Sequence, residues 1–180
     1  MKKFLILALS AVMALASCTK DGGSLDGRWD APRSEEMPND MIYTFVFSGT
    51  SLDLYVHSYG WHCTGTYSYE NNIIKYNITD IQQSLTNVEF DTDGTLITWA
   101  GGMGSMNSST LQPNEGYQWY PLGLNREDLL NEYKQNFAQF SFKKTSETTA
   151  DCGIMGPADS FKFTKVKLAS RLSRLSPTAF

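Results

Sequence analysis

Met41-Ile42-Tyr43-Thr44-Phe45-Val46-Phe47-Ser48-Gly49, followed two residues later by Leu52-Asp53-Leu54-Tyr55-Val56-His57-Ser58, is the stretch that decides the fold. The first run is aromatic and β-branched. The second places Leu52, Leu54 and Val56 at alternate positions, the pattern of a strand with one buried face. Ser48-Gly49 supplies the reversal between them, so the pair reads as a hairpin. The pattern then repeats. His62 to Tyr69 is followed by the turn Glu70-Asn71-Asn72 and by Ile73 to Thr79, with Ile74, Tyr76 and Ile78 on one face. Leu85 to Phe90, the reversal Asp91-Thr92-Asp93-Gly94 and Thr95 to Trp99 complete the run. Such short links predict an antiparallel up-and-down meander, because parallel neighbours need crossovers of about a dozen or more residues.

Beyond Trp99 the chain changes character. Residues 100–109 form a small, polar, glycine-rich loop, and Tyr117-Gln118-Trp119-Tyr120 reads as a short strand stopped by Pro121. Asn125 can cap a helix with Asp128 at its third position, and Leu129, Leu130, Tyr133 and Phe137 recur at helical spacing. Phe140 to Lys143 and Phe161 to Lys167 return to the strand period, each with one apolar and one basic face. Leu168, Leu172 and Leu175 read as a last helical turn or two, or as a frayed end. The fold class is all-β with one or two short helices.

The N-terminus carries an address. Lys2 and Lys3 precede an apolar run from Phe4 to Leu15, and Leu15-Ala16-Ser17-Cys18 ends it with small residues before one cysteine, the layout of a secretory signal. The run is too short for a permanent span, which needs roughly 20 apolar residues. These residues resemble the lipobox of bacterial lipoprotein precursors. The resemblance implies cleavage before Cys18, a diacylglycerol on its sulfur, and residence on the outer membrane of a Gram-negative bacterium, facing the periplasm or the exterior. Two or three acyl chains anchor firmly where one of myristoyl length does not, at about 0.8 kcal/mol per buried methylene. The expected organisation is a signal peptide (1–17), a lipidated polar tether (18–24), a β domain (25–168) with an insertion at 100–159, and a tail (169–180).

The 180 residues carry a formal net charge of −4, which disfavours nucleic acid as a partner. Basic side chains gather late, at Lys143, Lys144, Lys162, Lys165, Lys167, Arg171 and Arg174. They read first as the solvated face of the last strands and second as a surface for anionic lipid. Apart from Cys18 there are two cysteines, Cys63 and Cys152. In an exported chain they form either a disulfide or two buried thiols.

Leu25-Asp26-Gly27-Arg28-Trp29 ahead of the first long strand resembles the Gly-x-Trp signature of the lipocalin (calycin) superfamily. Gly65-Thr66-Tyr67 followed by Asn71-Asn72-Ile73-Ile74 is similar to a strand of lipocalin-like lipoproteins in Bacteroidota. The resemblance implies that the meander closes into a barrel of about 8–10 strands. It also implies that Gly27 and Trp29 plug one end beneath a basic side chain of the last strand, Lys165 or Lys167. Tyr43, Phe45, Phe47, Leu54, Val56, Ile74 and Tyr76, with Leu52 and Ile78, would line the interior, either as a packed core or around a small apolar ligand.

Chemistry is sparse. The two histidines, His57 and His62, belong to no metalloprotease, hydrolase or phosphate-loop motif, and the glycines at 101, 102 and 104 are followed by no lysine. A metal site from His57, His62, Cys63 and Cys152 would require reduced cysteines, and the expectation is no metal and no cofactor. The sequence favours a non-catalytic binding protein over an enzyme. A glycan module using Trp61 or Trp119 as a stacking face, or a protein-interaction lipoprotein, are the alternatives.

Overall fold

The computed structural model describes residues 24–86, 88–90, 92, 96–99, 106–121, 126–154 and 160–167. The strands are β1 (Gly27–Ser34), β2 (Met37–Ser48), β3 (Ser51–Val56), β4 (Trp61–Glu70), β5 (Ile73–Leu85), β6 (Val88–Phe90) and β7 (Leu96–Trp99). They continue as β8 (Met106–Asn107), β9 (Gln112–Pro113), β10 (Gln118–Pro121), β11 (Gln139–Lys144), β12 (Thr149–Gly153) and β13 (Ser160–Lys165), with one helix, α1 (Arg126–Asn136).

Strands β11, β12, β13, β1, β2, β3, β4 and β5 pair in that order, and β5 then pairs back onto β11. Every pairing is antiparallel, so the result is a closed eight-stranded β-barrel, consistent with a lipocalin-like fold. The hairpins form for local reasons. Asn71 (φ 53°) and Asn72 (φ 61°) both occupy the left-handed region, and the two-residue turn this allows matches the twist of β4 and β5. At Gly65 the register slips, leaving Thr79 as an extra residue between Asp80 and Ile78. A Cβ at Gly65 would lie 2.1 Å from the Asn77 carbonyl oxygen, so only glycine permits this close approach.

Three expectations are corrected by the pairing. Residues 85–90 and 95–99 do not continue the barrel, because β6 and β7 pair with each other in a separate two-stranded sheet. The reason lies in β5: one edge is taken by β4 as far as Gln83, and the other by β11 at Ile73–Lys75 and by β10 at Gln82–Leu85. At Gln82 and Gln83, near the end of β5 from which the chain leaves towards β6, both edges are occupied. Residues 139–153, read as part of an insertion, instead supply two barrel strands, β11 and β12. The strand beginning at Leu52 stops at Val56, where His57–Tyr59 forms a 3-10 turn ended by Gly60 at φ 62°. Asn125, the expected helix cap, lies outside the described residues, as do Leu168, Leu172 and Leu175.

Tyr133 and Phe137 on α1 join the core, with Leu130 half-buried beside them. The interior itself is aromatic. Phe45 stacks on Phe163 at 4.6 Å, and Phe140 and Phe142 contact the same ring at 5.3 and 6.0 Å. Burying each such ring contributes about 1.5–3 kcal/mol, with a further 0.5–1.5 kcal/mol from favourable ring geometry.

Gly65→Ala is expected to destabilise by about 3 kcal/mol through backbone overpacking. Gly49→Ala should cost roughly 1 kcal/mol, because that position (φ 58°) faces open space and only its backbone conformation resists. Urea midpoints for the two variants check this; equal losses would mean that the Gly65 contact is not limiting.

Candidate functional site

One end of the barrel is plugged by Trp29. Its indole N–H donates to the Leu25 carbonyl at 2.7 Å, its ring meets Phe142 edge-on at 5.3 Å, and it is fully buried. Trp29 and Lys165 are paired across the β1–β13 seam, and the ammonium lies 5.4 Å from the indole centroid, within cation–π range. Gly27 adopts φ 114°, and a Cβ there would sit 3.0 Å from Lys165 Cε, so the missing side chain leaves room for the lysine stem. The structure therefore brings Gly27, Trp29 and Lys165 together. Lys167 is exposed, beyond the end of β13.

The residues expected to line a cavity lie inside the barrel, in contact with one another. Phe45, Phe47, Leu54, Val56, Ile74 and Tyr76 are all buried in one cluster. Tyr43 is half-buried and meets Phe161 edge-on at 5.0 Å. Tyr76 carries the polar exception: its hydroxyl lies 2.9 Å from the carbonyls of both Leu52 and Cys63, which share its proton, and burial raises its pKa above the usual tyrosine value.

The opposite end has a different surface. Tyr59, 47% exposed, stacks on Trp61 at 4.7 Å, and Trp61 meets Tyr133 of α1 edge-on at 4.8 Å. The helix follows β10 and precedes β11, which sets Tyr133 and Phe137 against this end. The indole nitrogen of Trp61 is buried and has no hydrogen-bond partner among the described residues. A buried donor left unmade costs about 1–3 kcal/mol.

The outer wall holds a second cluster that sequence reasoning did not find. Arg28 grips both carboxylate oxygens of Asp30 through Nε at 2.8 and 3.0 Å, and its outer nitrogens donate to the carbonyls of Ser109, at 2.7 Å, and Ser108. Asp30 accepts the Thr44 hydroxyl proton at 2.7 Å, and Thr44 contacts His57 Nε2 at 2.9 Å. Because Thr44 spends its proton on Asp30, His57 must be the donor, which fixes the Nε2–H tautomer. Burial lowers the His57 pKa to about 4 despite the opposing pull of Asp30. Met106, Leu111 and Trp119 close over this wall against Tyr55 and Val46. Trp119 also lies 5.5 Å from His62, which stacks on Tyr55 and contacts Asp53 at 2.9 Å. Trp119 thus belongs to a packed outer layer.

Cys63 and Cys152 are free, fully buried thiols, so of the two readings the structure holds the unbonded one. Burial pushes the Cys63 pKa up to about 12 and raises that of Cys152 as well. Among the described residues no three His, Cys, Asp or Glu side chains converge as a metal site. Cys18 lies outside the described residues.

Comparison with protein-family models, curated proteins and solved structures finds no match for the chain.

The His57 environment has a pH signature. The unfolded chain takes up a proton near pH 6.5 and the folded chain only near pH 4. Stability is therefore complete above pH 6.5 and is lost as pH falls towards 4, by up to roughly 3 kcal/mol. His57→Gln should flatten that part of the stability profile, measured by urea titration at each pH; an unchanged slope would exclude His57 as its source. Both thiols are expected to resist alkylation at pH 8 until denaturant is added, and native labelling of either would contradict their burial.

Proposed function

We propose that this chain is a non-catalytic binding lipoprotein, held on the outer membrane through an acylated Cys18. In this reading its barrel takes a small, mostly apolar ligand at the end ringed by Tyr59, Trp61 and Tyr133. The lipoprotein part rests on the lipobox Leu15-Ala16-Ser17-Cys18 and on the likeness of the Gly-x-Trp and Gly-x-Tyr segments to lipocalin-like lipoproteins of Bacteroidota. The binding part rests on one observation, the buried Trp61 indole N–H without a partner beside a half-exposed tyrosine ring.

The centre of the barrel is a poor host. A ligand there would have to displace Phe45, Phe140, Phe142 and Phe163, whose mutual contacts are part of the core. Binding at the Trp61 end asks for less rearrangement. A ligand with an apolar body would extend the Tyr59–Trp61–Tyr133 stack, and a single carbonyl or carboxylate oxygen would receive the orphan proton. The ordering cost is low, because Trp61 is already held between two rings.

A chain beginning at Ser24 contains every barrel strand and suits the test. Titration with a fluorescent fatty acid should saturate, and Trp61→Phe, which keeps the ring but removes the N–H, should weaken binding about tenfold. Saturation with equal affinity in Trp61→Phe would move the site elsewhere, and no saturation at tens of micromolar would remove the ligand reading. Separately, mass spectrometry of the mature N-terminus should find diacylglycerol on Cys18; a retained Met1 would end the lipoprotein reading.

A further inference from the structure

We propose a second site at the Trp29 end of the barrel, a pocket shaped for one neutral pyranose ring. The pocket has a volume of about 250 Å³ and lies between Ser24–Asp26, the Gly49–Thr50 turn and the inner end of β4 at Tyr67 and Tyr69. It is smaller than the roughly 300–1,000 Å³ of drug-sized pockets, which limits the occupant to about one ring.

Its lining combines two kinds of surface. Tyr67 and Tyr69 are two residues apart on one strand, so their side chains leave the same face. Tyr67 is fixed by ring contact with Phe47 at 4.9 Å, and the Tyr69 hydroxyl reaches Asn72 at 3.3 Å. Beside these aromatic bodies stands the Asp26 carboxylate. One of its oxygens accepts the Ser24 hydroxyl at 2.6 Å and the other accepts the Gly49 N–H at 2.8 Å. These bonds, the Ser24 hydroxyl first and the Gly49 N–H second, favour the ionised form and orient it, and each oxygen keeps lone-pair capacity for a further donor. Thr50 adds a hydroxyl at the rim.

A pyranose matches this pairing because it presents C–H groups on one face and hydroxyl donors around its edge. The C–H face would lie on a tyrosine ring, and an adjacent pair of hydroxyls would donate to Asp26. A cationic ligand would use the carboxylate alone, whereas a pyranose uses the carboxylate and the tyrosine face together. The sugar could be free or carried on a lipid headgroup, since both offer the same ring.

The test uses the full chain in a detergent without a sugar headgroup, titrated with methyl glucoside, methyl galactoside and methyl mannoside and followed by saturation-transfer NMR. At least one should bind saturably in the millimolar range. Tyr69→Ala and Asp26→Asn should each weaken that binding tenfold or more while circular dichroism stays near wild type; the urea midpoint should hold for Asp26→Asn and fall for Tyr69→Ala, whose ring packs on the core. Trp61→Phe should leave it unchanged, which separates this site from the apolar one. Vesicles bearing a glucosylated or galactosylated lipid should retain the unacylated Cys18→Ser chain more than plain vesicles if the headgroup is the source, and equally if free sugar is. No saturation by any pyranoside, undiminished binding in the folded Tyr69→Ala variant, or displacement of the sugar by tetramethylammonium would overturn the proposal.

Discussion

The seam between β1 and β13 joins the first and last strands of the barrel through the pairs Trp29–Lys165 and Asp30–Thr164. Without it, both strands would present open edges, and such edges template pairing with other chains. Closing a loop that spans most of the chain is entropically unfavourable, although the cost grows only slowly with length. The compensation is concentrated where the ends meet. Trp29 is buried there against Phe142, and Phe142 and Phe163 from the last strands close around Phe45. The same aromatic side chains that fill the interior therefore also hold the seam closed.

The hairpins from β2 to β5 were legible in the sequence, because their turns and their inner faces obey local rules. Asn71-Asn72 accepts the left-handed backbone that a two-residue turn needs, and Phe45, Leu54, Ile74 and Tyr76 alternate cleanly. The strands β1 and β12 were not. Gly27–Ser34 contains Asp30 and Pro32, and Thr149–Gly153 turns only Ala150 and Cys152 inwards, so neither run shows enough apolar contrast to stand out. The pairing partners of β5 were equally hidden. A local pattern says that residues 85–90 are extended, but only the finished sheet shows that both edges of β5 are already in use.

The same limit applies to the sites. Trp29 and Lys165 could be placed together through resemblance, since residues so far apart have no shared periodicity. Asp30, Thr44 and Asp53 occupy the outward positions of strands, where polar side chains are ordinarily solvated. What buries Asp30 and Thr44 is a segment from Met106 to Trp119, held by Arg28 through the carbonyls of Ser108 and Ser109. The barrel wall is thus hydrophobic on its inside and carries a small mixed core on its outside. Nothing in the alternation of a single strand announces the second of these.

The Trp29 plug also has a mechanical consequence. Ser24–Asp26 lead into β1 at the end of the barrel where β13 finishes, so a pull on that segment enters the molecule along the axis of β1. Its ladders to β2 and β13 run side by side, and the Val166 N–H adds a bond to the Arg28 carbonyl at 2.8 Å. Force along the strand loads these bonds together in shear instead of opening them one at a time like a zip. Trp29, wedged behind Leu25, would have to be dragged through the plug before the strand could slip. The first strand is therefore the part of the barrel best placed to bear a load applied at Ser24–Asp26.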